Sequence, residues 1–178
     1  MRNLTILSAC LLAACGSGGG EQKKAEEAAV PAAMAAGQWE TAFEVTALRS
    51  VDKTTPALKA AVGDKETGST CIPAGSEAEP PPAVFAGPGY DCTYKNSYIR
   101  NGRLNAALNC TRAGVNGQFM MAVQGSSTAD GFEGTVDTTT YLPGDGDFEM
   151  SRKVTGRKTA ASCTAEDPGL EKSGGRGG

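Results

Sequence analysis

Between Trp39 and Thr155 the chain repeatedly alternates apolar and polar residues with a period of two, and this rhythm limits its fold more than any other feature. Successive side chains of a strand point to opposite faces, so the pattern builds sheets with one buried face rather than a helical bundle. Trp39, Thr41, Phe43, Val45 and Ala47 share one parity, and Glu40, Ala42, Glu44, Thr46 and Leu48 the other. Further strand signals span 118–124, 132–141 and 148–155, separated by the turn-like runs 127–131 and 142–146. Phe119, Met121 and Val123 are placed to share an inner face with Phe132, Val136, Phe148, Met150 and Val154. With 24 glycines and only 6% aromatic residues, the composition suits a turn-rich β protein. The expected fold class is mainly β: a single up-and-down antiparallel sheet, curled to a partial or closed barrel, with one short connector helix.

The clearest hairpin lies between Cys92 and Cys110. A three-residue loop Arg100-Asn101-Gly102 sets Tyr98 opposite Leu104, Asn96 opposite Ala106, Tyr94 opposite Leu108 and Cys92 opposite Cys110. This register gathers the apolar side chains on one face, whereas a two-residue turn mates tyrosines with asparagines. The connector helix is expected at 55–63, where Thr55 caps, Pro56 occupies the first turn and Gly63 ends the run. From Cys71 to Cys92 the chain is proline-rich and reads as a stiffened loop.

The N-terminus carries an address. Arg2, the apolar segment Leu4–Leu12 and the small pair Ala13-Ala14 lay out a secretory signal. The apolar part is about half of the ~20 residues a helix needs to cross a bilayer, so a cleaved signal is expected. Cys15 directly follows Leu12-Ala13-Ala14, a pattern resembling a lipobox, and is the expected lipidation site. Each buried acyl methylene contributes about 0.8 kcal/mol, and two or three chains hold a protein on a membrane. Gly16, not Asp, follows the cysteine, which by resemblance to Gram-negative lipoproteins favours the outer membrane. The expected organisation is a signal at 1–14, a lipid-anchored tether at 15–37, an antiparallel β domain at 38–164 and a disordered tail at 165–178.

Several function classes are excluded or disfavoured. Histidine is absent, which removes the commonest general base, the usual activator of serine and cysteine nucleophiles, and the usual zinc ligand. A formal net charge of -3 offers no basic field for nucleic acid. Asp145, Asp147 and Glu149 alternate in a glycine-containing turn and read as a solvated turn rather than a calcium loop. No metal and no cofactor are expected. Arg152, Lys153, Arg157 and Lys158 form a candidate basic surface patch for anionic lipids or an acidic partner.

Of the six cysteines, Cys10 falls in the signal, Cys15 is the lipid site, and Cys71, Cys92, Cys110 and Cys163 remain. An even number of thiols in an exported domain, without CxxC spacing, points to two disulfides. The hairpin register favours Cys92 with Cys110, leaving Cys71 with Cys163. The competing scheme joins Cys71 to Cys92 and Cys110 to Cys163.

Gly37-Gln38-Trp39-Glu40, Cys71 before a Pro/Ala loop, Cys92-Thr93-Tyr94, Gly102-Arg103-Leu104-Asn105-Ala106 leading to Cys110, and Val154-Thr155-Gly156-Arg157-Lys158 before Cys163 form an ordered set. Together they resemble the small Gram-negative envelope proteins grouped as domain-of-unknown-function family thirty-six seventeen, over Gly37 to Cys163. The chain departs from that pattern at Ala160-Ala161-Ser162, where the family tends to place glycine. The resemblance implies export, commonly as a lipoprotein or periplasmic protein, and supplies no activity. The expected role is a non-enzymatic envelope lipoprotein, a structural or interaction module with an envelope protein partner. The alternative is a periplasmic-side carrier or sensor whose curved sheet cups a small apolar ligand or lipid.

Overall fold

The computed structural model describes residues 33–163. The signal, Cys15, most of the tether and the tail from 165 lie outside the described residues. Seven strands form one antiparallel sheet: β1 Gly37–Ser50, β2 Lys65–Ile72, β3 Tyr90–Arg100, β4 Arg103–Arg112, β5 Val115–Ser127, β6 Gly131–Tyr141 and β7 Phe148–Ala160. Their spatial order is β2-β1-β7-β6-β5-β4-β3. Strands β3 to β7 are a meander, and β1 returns beside β7, so β2 and β3 are the two edges of a half-barrel. Met34, the one large side chain of the preceding alanine-rich run, is fully buried, and Ala35 donates its N–H to the Ala129 carbonyl.

The inner-face set holds throughout: Phe119, Met121, Val123, Phe132, Val136, Phe148, Met150 and Val154 are all buried. Trp39 is buried with them and donates its indole N–H to Ala35 O at 2.9 Å. Phe132 stacks edge-on against Phe85 at 5.2 Å and tilts against Trp39 at 6.1 Å. Its cross-strand partner is Gly156, where an added Cβ would stand 2.0 Å from the Phe132 ring. Only a residue without a side chain lets the ring lie flat across β7.

Three expectations about local structure are corrected. The β3–β4 turn has two residues, not three: Asn101 and Gly102 both take positive φ (55° and 72°), the conformation of a type I′ turn. Cys92↔Cys110 and Tyr94↔Leu108 pair as expected, but Lys95 is bulged out, and beyond it Tyr98 faces Asn105 and Ile99 faces Leu104. The extra residue reverses the strand's parity, turning Ile99 inward and leaving Tyr98 39% exposed. A second irregularity at Thr46 does the same in β1, so that Leu48 rather than Ala47 packs on the core.

The helix expected at 55–63 is instead an extended connection. A short helix is marginal on its own, and here the backbone N–H groups are used elsewhere: Ala57 donates to Gly146 O, and Gly63 to Val45 O. Leu58 and Ala60 turn inward at alternate positions. The connector helix is α1, Ala83–Ala86, within the proline loop. Proline suits the start of a helix, where its missing N–H has no helical partner. Val84, Phe85 and Ala86 are fully buried, and α1 contacts both edge strands and β1. The proline loop therefore fills the concave side of the sheet. Tyr94 fastens it by donating its hydroxyl to Pro80 O at 2.6 Å, and burial pushes that phenol's pKa far up.

Candidate functional site

Arg152 follows Phe148 and Met150 on the inner parity of β7 and is 3% exposed. One of its Nη groups donates to the Ala86 carbonyl at 2.9 Å, meeting an acceptor left over at the end of α1. The guanidinium lies 5.0 Å from the Phe43 ring centroid and 5.4 Å from that of Tyr90. Arg112, from the end of β4, stacks on Tyr90 at 4.4 Å and donates to Pro88 O at 3.2 Å. Two arginines thus share one tyrosine while holding the segment that follows α1.

Phe43, Tyr90, Arg112 and Arg152 line a cleft of about 290 Å³ between the inner ends of β3, β4 and β7 and the connection from β1 to β2. Phe43, Val45, Leu58 and Met150 supply apolar wall, and Lys59, Asp64, Lys65 and Glu66 complete the lining. Burial lowers the Arg152 pKa and the nearby Arg112 lowers it further, while Tyr90 and Glu66 act in the opposite direction. The group remains charged, because arginine does not deprotonate in proteins. Ion pairs join Arg49 to Glu149, Lys65 to Glu44 and Arg157 to Glu40. The Arg152 Nε and the Tyr90 hydroxyl are both buried without a hydrogen-bond partner.

Of the expected basic surface patch, Arg152 is inside; Lys153 and Arg157 share the exposed parity of β7, with Arg157 paired to Glu40, and Lys158 is half-buried. Neighbouring strand positions face opposite ways, so Arg152-Lys153 and Arg157-Lys158 cannot each present two charges to one side. The acidic residues near 147 are likewise engaged separately: Asp147 accepts from the Thr140 hydroxyl and the Leu142 N–H, and Glu149 pairs with Arg49.

The four cysteines of the fold stand in two pairs at disulfide distance. Cys92 and Cys110 join β3 to β4 with Cα atoms 4.0 Å apart, and Cys71 joins the end of β2 to Cys163 at 5.4 Å. The second link spans the start of β1, whose Gln38 pairs with Cys71 on one side and Ala160 on the other.

Sequence reasoning missed the cleft, although part of its signal was available. Arg152 has the same parity as Phe148, Met150 and Val154, which marks a cation pointing into the core. Tyr90 and Arg112 gave no such sign, because only the sheet order and α1 bring them to β7.

Fold and cysteines together define a cystine-linked, all-antiparallel half-barrel with its concave side closed by its own loop. The chain belongs to the family described as Protein of unknown function (DUF3617), whose model matches residues 34–163. No curated protein and no solved structure matches it.

Proposed function

We propose that this chain is a non-enzymatic, lipid-anchored module of the cell envelope, facing the periplasm from the outer membrane and engaging an envelope protein partner. The observation that carries the reading is the pairing of all four cysteines of the fold at disulfide distance. Such pairs persist in oxidising compartments and are rare in reducing ones. The position of Cys15 after Leu12-Ala13-Ala14 supplies the anchor, and the run between Cys15 and Met34 the spacer. The lack of histidine supports a binding role over a catalytic one.

The concave face bears on the alternative of a carrier that cups an apolar ligand in its sheet. Trp39, Phe85, Phe119 and Phe148 are all fully buried there, packed on their own neighbours. That packing supports the interaction module over the carrier.

Metabolic labelling with an alkyne fatty acid tests the anchor. Labelled wild-type chain and unlabelled Cys15→Ser chain are expected. Equal labelling of the two, or labelling of neither, contradicts the proposal.

A further inference from the structure

We propose that the cleft between the β1–β2 connection and the Arg152, Arg112 and Tyr90 side chains binds a small amphipathic monoanion, a carboxylate on a short hydrocarbon body, held between Arg152 and Arg112 over Tyr90. This goes beyond the envelope role and does not depend on the anchor.

A guanidinium taken out of water is ordinarily matched by a carboxylate, because leaving it unmatched is costly. Arg152 has instead one carbonyl, the Met121 sulfur at 3.8 Å, two aromatic faces and only the field of Glu66, and its Nε is unpartnered. Arg112 stacks on one of those same faces and adds a second positive charge. The Tyr90 hydroxyl is a further donor without an acceptor. Two cations and an unused hydroxyl on one ring form an arrangement that an anion relieves, and hydrogen bonds to a charged oxygen are the strong ones.

The rest of the lining narrows the ligand. Lys65 is taken up by Glu44, and Lys59, Arg112 and Arg152 stand against Asp64 and Glu66, a surplus of one positive charge that suits a monoanion better than a phosphate dianion. Phe43, Val45, Leu58 and Met150 give an apolar body a surface to cover, and about 290 Å³ sits at the small end of ligand-holding clefts.

Calorimetric titration of the full chain with hexanoate, hexanol and inorganic phosphate tests the proposal. Hexanoate is expected to bind, with hexanol and phosphate each weaker by about tenfold or more. Arg152→Met keeps the shape and removes the charge, and is expected to abolish hexanoate binding. Should that variant fail to fold, Arg112→Gln is expected to weaken binding several-fold in a chain that still unfolds cooperatively. Lys153→Met, on the opposite face of β7, is expected to bind like wild type. No hexanoate binding at millimolar concentration, equal binding of hexanol or of phosphate, or unchanged hexanoate affinity in the arginine variants would overturn the proposal.

Discussion

Arg152 brings a full charge into a core whose other buried polar side chains among the described residues are neutral, and its stability cost should be measurable. Replacing buried, poorly paired charges with apolar residues of similar volume is often neutral or stabilising by about 1–4 kcal/mol. Arg152→Met is therefore expected to melt at or above the wild-type temperature in thermal denaturation; a large fall would mean that the Ala86 contact dominates. Gly156 gives the opposite result. A Cβ at that position enters the Phe132 ring, which Phe85 and Trp39 hold in place. Gly156→Ala is expected to cost about 1–3 kcal/mol, the range for overpacking a tight core, read as a lower urea midpoint. Both effects follow from residue parity, which the sequence displays. The sequence does not display what stands across the gap, so parity turns Arg152 inward without showing that the end of α1 meets it there.

At the scale of elements, the sheet's interior strands were legible because alternation persists through them. The departures occur where one extra residue reverses the phase. Thr46 and Lys95 carry no mark distinguishing a bulged residue from an ordinary strand residue, and the register beyond each was lost. The connection from β1 to β2 shows a different limit: its capping pattern suits a helix, but tertiary hydrogen bonds outweigh that local preference. Asp52 organises this connection by accepting from the Thr54 hydroxyl and N–H and from the N–H groups of Gly146 and Asp147. The Thr54 hydroxyl is the chief cause holding its carboxyl far below the ordinary value of 3.8; the Thr54 N–H and the two loop N–H groups add to this, against some desolvation. A carboxylate whose pKa is depressed by folding stabilises the native state above its unfolded pKa and loses that contribution as pH falls through the folded value. Melting temperatures measured down a pH series are expected to fall below about pH 4 in wild type, and less steeply in Asp52→Asn. Parallel declines would remove Asp52 from the account.

For the whole molecule, the sequence could not order the sheet. Alternation identifies strands but not neighbours, and the placement of β1 between β2 and β7 depends on contacts more than a hundred residues apart in the chain. The cysteines supply long-range information of that kind. Cys71–Cys163 closes a separation of 92 residues and Cys92–Cys110 one of 18. In chain-entropy terms these links contribute roughly 4–5 and about 3 kcal/mol. The Cys71→Ser/Cys163→Ser pair is accordingly expected to lower the urea midpoint more than Cys92→Ser/Cys110→Ser. The reverse order would show that the hairpin link carries strain relief or packing beyond loop closure.

The claim on which the cellular role depends is attachment at Cys15, and membrane fractionation of cells expressing wild-type or Cys15→Ser chain tests it most directly. The account predicts wild-type chain in the membrane pellet and the serine variant in the soluble envelope extract. A serine variant that pellets as completely as wild type would contradict it.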